Sequence, residues 1–178
     1  MGRLKALSLA AALAAAGAGA ASAEIVLEGV HWQEGLVESG RVAAWRDVKV
    51  LGDAPPNARR RLRARLVLKN DGPKEEEGLL LRFSLTARVT PADGAAAEGS
   101  WAVPFIVDEK RVPKIGPDKM IDAPLDAGAA LDLYLRRLAR AGWRPDRIKI
   151  QAMIEPRPGT KRVQVAEDVL EIQGDAKP

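Results

Sequence analysis

The chain has no cysteine, a single histidine and few aromatic rings: four Trp, two Phe and one Tyr. Without cysteine there is no disulfide, no thiolate nucleophile, no thiolate-held metal and no lipid-modified cysteine at a cleavage site. With His31 alone, neither a histidine-pair metal site nor a histidine relay can be built. His31 sits between Val30 and Trp32 in an expected strand, with no serine or cysteine nucleophile signature beside it. It reads as a structural or surface residue rather than a general base. The acids occur as neighbours, in Glu75-Glu76-Glu77, Asp108-Glu109 and Glu167-Asp168. Strand neighbours point to opposite faces, so adjacency does not hold two carboxylates across a cleft as glycoside hydrolysis requires. No Asp-x-Asp-x-Asp-Gly spacing offers a calcium loop. The expectation is therefore no catalytic residue, no cofactor and no metal ligand. A hydrolase is the least favoured of the functional classes.

The first 23 residues have the three parts of a secretory signal. Arg3 and Lys5 form a positive start, an apolar stretch follows from Ala6, and Ala21-Ser22-Ala23 supplies small residues at a cleavage site. The stretch is mostly Ala and Gly, short of the roughly 20 strongly apolar residues that a permanent span needs. No later stretch is apolar enough to span a bilayer. The expected organisation is a signal peptide over 1–23, one domain over 24–173 and a frayed tail over 174–178. The expected location is the periplasm or the medium. Removing 23 of the 178 residues leaves 155, enough for one domain with a self-sufficient core. Removal also takes two of the 28 basic residues against 24 acidic ones, so the charge falls from +4 to +2. That is no signature of a nucleic-acid partner.

What is present is alternation. Leu62, Ala64, Leu66 and Leu68 point one way and Arg61, Arg63, Arg65, Val67 and Lys69 the other, as in a half-buried strand. Asn70-Asp71-Gly72-Pro73 ends that strand. A second long strand carries Leu79, Leu81, Phe83, Leu85, Ala87 and Val89 on its core face. Trp101, Val103, Phe105 and Val107 alternate again, with Pro104 marking an edge or a bulge, and Asp108 to Arg111 reads as a charged turn. Shorter strands are expected around residues 25–51 with a turn at Glu38-Ser39-Gly40, over 120–125, and over 148–154. The final strand starts at Val163 and Val165 and continues through Leu170 and Ile172. Its parity slips near Glu167-Asp168, which suggests a β-bulge.

One segment changes period. After Asp126, a plausible N-cap, Leu131, Leu135 and Leu138 with Tyr134 form a helical apolar stripe, stopped by Gly142 with Pro145 beyond. Asp132, Arg136 and Arg140 lie outside, with Arg136, Arg137 and Arg140 near the negative end of the helix dipole.

These elements predict a mainly β fold: a single antiparallel sandwich with one amphipathic α-helix between two late strands. The run Leu66-Val67-Leu68-Lys69-Asn70-Asp71-Gly72, followed by a long alternating strand, resembles bacterial extracytoplasmic immunoglobulin-like or fibronectin-III-like domains over residues 60–90. The resemblance implies an immunoglobulin-like sandwich that binds, spaces or scaffolds, with another envelope or secreted protein as partner. The late helix departs from the plain form of that fold.

One charged feature remains. Arg61, Arg63 and Arg65 share a face, with Arg59 on the same parity, and a guanidinium row can grip phosphates or carboxylates. The alternative function is therefore recognition of an anionic lipid or glycan by this row. The plainer reading is a solvated face, neutralised by Glu75, Glu76 and Glu77 if the two long strands form a hairpin. Trp45, Trp101 and Trp143 are expected in the core, as is the less determined Trp32.

Overall fold

The structure, a computed structural model, describes residues 25–52, 59–93, 98–158 and 163–173. The signal peptide expected over 1–23 and the tail expected over 174–178 lie outside the described residues. Ten strands and one helix follow in the order β1 (Ile25–Glu38), β2 (Arg41–Asp47), β3 (Val50–Leu51), β4 (Arg59–Asn70), β5 (Leu80–Pro91), β6 (Ser100–Trp101), β7 (Ile106–Arg111), β8 (Met120–Asp126), α1 (Gly128–Arg140), β9 (Trp143–Ile154) and β10 (Val165–Ile172). They form two sheets. One has the order β2-β1-β4-β8; the other runs β3-β10-β9-β5-β6, with β7 also pairing β5. All pairings are antiparallel except β3 with β10. The mainly β class with one late helix is thus the architecture the alternation predicts.

The alternation also sets the core. Leu62, Ala64, Leu66 and Leu68 of β4 meet Leu81, Phe83 and Leu85 of β5 and Ile148, Ile150 and Ala152 of β9 in one buried cluster between the sheets. Period-2 patterning buries each strand's apolar face without help from turns or caps. β1 and β2 form a hairpin through Ser39 and Gly40, whose φ values of 50° and 81° are both positive, as a two-residue I′ turn requires.

Four details differ from the sequence expectation. The charged segment Asp108–Arg111 is strand, not turn: it lies in β7 opposite Phe83, Arg82, Leu81 and Leu80. The run from Trp101 is broken at Pro104, which has no N–H, and Phe105 and Ile106 pack on the core while Val103 and Val107 face out. The last strand carries no bulge. Its register with β9 is continuous from Val165↔Met153 to Glu171↔Arg147. The apparent slip arises because Val163 and Val165 are exposed, while Asp168 takes an inward position beside Leu170. Finally, α1 begins at Gly128, with Ala127 in the N-cap position. Asp126 ends β8, and its Oδ1 accepts the Gly128 N–H at 2.9 Å from one residue further out.

Helix α1 docks by part of its stripe. Leu131 is buried, whereas Tyr134, Leu135 and Leu138 are half-buried, and Tyr134 stacks on Phe105 at 4.0 Å between ring centroids. Leu131→Ala is expected to cost about 2–5 kcal/mol in urea denaturation. Leu135→Ala is expected to cost roughly 1–2 kcal/mol, in keeping with the smaller area it removes from water. Equal costs at the two positions would contradict this docking.

Candidate functional site

The Arg row stands on the outer face of the four-stranded sheet. Strand β4 is its third strand, so the row has β1 and β2 on one side and β8 on the other. Register places Arg61 opposite Gly35, Arg63 opposite Gln33 and Arg65 opposite His31 on β1. On the β8 side, Arg63 faces Asp126 and Arg65 faces Pro124.

The three side chains have different surroundings. Arg65 sits between two acids: its Nη2 is 3.4 Å from Asp47 and its Nη1 3.4 Å from both Asp122 oxygens. Arg63 lies flat over Trp45, its guanidinium carbon 4.0 Å from the ring centroid, and its Nε donates to Gln33 Oε1 at 2.9 Å. This geometry needs Gly35. A Cβ there would come within 2.3 Å of Val42 Cγ1 and 3.2 Å of the Trp45 ring. Gln33 in turn donates to Asp47 Oδ1 at 2.8 Å. That bond, with the charges of Arg65 and His31, holds Asp47 below the usual carboxylate range against a partial desolvation that opposes it. Arg61 is exposed.

The acids expected to quench the row do not reach it. Strands β4 and β5 belong to opposite sheets, not one hairpin. Glu75 pairs with Lys114 and Glu76 with Arg157. The neutralising partners are Asp47 and Asp122, supplied by β2 and β8. Their strands are separated from β4 in sequence, so no local signal pointed to them.

A second surface was not anticipated. Trp101 is 43% exposed, not core, because it stands on the outer side of the edge strand β6, where Lys149 Nζ lies 4.9 Å from its ring centroid. Val103 and Val107 follow along the same edge at 81% and 76% exposure. Trp143 is likewise exposed, directly after the helix stop. Trp32 is fully buried and Trp45 half-buried. The Trp101–Val107 signal was in the sequence as alternation. What it lacked was any sign that β6 and β7 form an edge beyond which no further strand lies among the described residues.

A cleft of about 340 Å³ opens between Glu34, Leu36, Arg46, Val48, Val50 and Arg60. Its one buried carboxylate, Glu34, is already paired with Arg46 and stands 3.8 Å from Arg60 Nη1. Among the described residues no group of three or more His, Asp or Glu could hold a metal ion. No described helix is long and apolar enough to cross a membrane.

No family model matches the chain, and no curated protein does. Among solved structures, the chain is similar to the CARDB domain of the PF1109 protein from Pyrococcus furiosus, solved in complex with di-metal ions. The TM-score is 0.39 at 10% identity, over 84% of this chain and 93% of that one. It is also similar to a protein from Archaeoglobus fulgidus, with a TM-score of 0.27 at 12% identity, over 83% of this chain and 98% of that one.

Proposed function

We propose that the chain is an exported, non-catalytic module that binds another envelope or secreted protein through the edge formed by β6 and β7. The observation that carries this reading is the succession of Trp101, Val103 and Val107, three large apolar side chains presented to water along one unpaired edge. An exposed apolar patch on an otherwise well-patterned domain marks an interaction surface. Trp is among the residues that most often anchor protein interfaces. The break at Pro104 favours recognition by side chains, because it interrupts the backbone ladder that a partner strand would need.

Val103→Asp combined with Val107→Asp tests this. Both side chains face water, so the melting temperature should stay within a few degrees of the parent. Capture of a partner from envelope extract should be lost. Unchanged capture by the folded double variant would overturn the reading.

The alternative is recognition of an anionic lipid or glycan through Arg61, Arg63 and Arg65. It gains from the separation of the row from Glu75, Glu76 and Glu77, and from the exposure of Arg61. It loses from the commitment of Arg65 to Asp47 and Asp122. Exposed charge of this kind is screened over about 8 Å at physiological ionic strength. Replacing all three by Gln is expected to leave retention on anionic material at low salt equal to that of the parent. A clear loss of retention would assign the face to this alternative.

A further inference from the structure

Helix α1 carries a group of guanidiniums that no carboxylate among the described residues neutralises. Helix α1 turns Leu131 into the core and leaves Leu133, Arg136, Arg137 and Arg140 exposed. At 100° per residue these four fall on one outward stripe opposite Leu131, Leu135 and Leu138. Just beyond the stop at Gly142, at the start of β9, Trp143 and Arg144 are exposed as well.

Several guanidiniums elsewhere are paired: Arg65, Arg82, Arg88, Arg147 and Arg157 each meet a carboxylate. Among the described residues, Arg136, Arg137, Arg140 and Arg144 have no carboxylate within ion-pair distance. The one side-chain bond in the group runs from Arg140 Nε to the Arg136 carbonyl at 3.3 Å. Three acids are near in the fold or the chain. Asp146 is held by Arg88 through Nε and Nη2. Asp132 flanks the stripe on α1 itself, without pairing to Arg136. Asp93 follows Ala92, whose N–H donates to the Gly142 carbonyl at 2.9 Å, and has a partner of its own. The helix C-terminus adds partial negative charge, which four guanidiniums outweigh.

We propose that this face is a docking surface for an anionic lipid bilayer. A purely cationic patch would serve any anion. Leu133 and Trp143, each 42% exposed, separate the cases. A basic helix face with an apolar residue among the charges, and an indole at its rim, matches the headgroup layer, where apolar groups sink and cations meet phosphates. A docked acidic protein would use the charges but gain little from an isolated leucine. The contact is peripheral and reversible.

The test is sedimentation with large vesicles, either zwitterionic or containing about a third anionic phospholipid, at low and at physiological salt. Each basic residue near an anionic surface strengthens binding roughly fivefold. Arg136→Gln, Arg137→Gln and Arg140→Gln together should therefore weaken partition to anionic vesicles about a hundredfold. Trp143→Ala should weaken it several-fold and remove a blue-shifted, membrane-quenched part of the emission. Zwitterionic vesicles should retain neither protein. Each protein is measured as the full chain and starting at Glu24, because residues 1–23 are themselves apolar. Circular dichroism checks that the variants fold. Equal partition of parent and triple variant would overturn the proposal. So would membrane binding that disappears with residues 1–23, or a loss that follows Arg61, Arg63 and Arg65 instead.

Discussion

Asn70→Asp should destabilise the protein more than Asn70→Ala does, although it changes one atom. Asn70 is fully buried at the end of β4, and its side chain closes three segments at once. Its Nδ2 donates to the carbonyls of Lys74 at 2.7 Å and Ile115 at 3.0 Å, and its Oδ1 accepts the Gly72 N–H at 3.0 Å. Its main chain joins the same junction, accepting from Asp118 and donating to Lys119. Removing the amide leaves these groups without partners, at about 1–3 kcal/mol for each one that stays dry. Asn70→Ala is therefore expected to cost about 3–5 kcal/mol. A carboxylate keeps the bond from Gly72 but turns a negative oxygen toward two carbonyls in a buried site. Its folded-state pKa must rise above the unfolded value, through desolvation and acceptor-against-acceptor contact. A group with a raised pKa retains its stability below the unfolded pKa and loses it as pH rises through the folded one. The Asp variant should thus be distinctly more stable near pH 4 than near pH 7 relative to parent, and the Ala variant should show no such difference. Urea denaturation at both pH values measures this. An Asp variant as stable as the parent at pH 7 would remove Asn70 from its structural role.

Trp32→Ala should be comparably severe, at about 3–5 kcal/mol. The Trp32 ring is among the largest fully buried side chains, and it also ties the two sheets together. Its Nε1 donates to the Asp168 carbonyl at 3.3 Å, and its backbone N–H donates to Asp168 Oδ2 at 3.2 Å. Lys49 Nζ holds the other Asp168 oxygen at 2.5 Å. Nearby, Gln164 accepts the Leu27 N–H and donates to the Ile25 carbonyl. Strand β2 pairs only with residues 33–38 of β1, so the earlier half of β1 has an open edge there. Side chains of β10 and of the residue leading into it close that edge, in place of a strand. Trp32→Phe separates the two contributions. It keeps most of the buried area, loses the indole bond and should cost roughly 1–2 kcal/mol. If Phe cost as much as Ala, the indole bond would outweigh the ring, contrary to this account.

These two residues show where the sequence was readable. Alternation located β4, β5, β8 and β9 because burial with period 2 is decided within each strand. It also put Arg61, Arg63 and Arg65 on one face. It misread β10 because Asp168 is inward and satisfied by Trp32 and Lys49, more than a hundred positions away. Asn70 looked like an ordinary turn former, since its partner Ile115 lies on a distant loop. The charge on the Arg row depended on its neighbours in the sheet, Asp47 and Asp122, which only topology reveals. The exposed Trp101 and Trp143 were equally hidden: alternation gives a face, but not whether another layer covers it. The basic stripe of α1 was visible as a pattern. Its lack of acidic partners was not.

The central claim, that the β6–β7 edge meets a partner protein, is tested most directly by site-specific photocrosslinking in the native host. A photoreactive side chain is placed at Val103, at Val107 and, for comparison, at Arg61 on the outer face of the other sheet. The account predicts a protein adduct of one discrete mass from Val103 and Val107 and none from Arg61. Adducts from Arg61 alone, or none from the edge positions in a chain that folds and is exported, would contradict it.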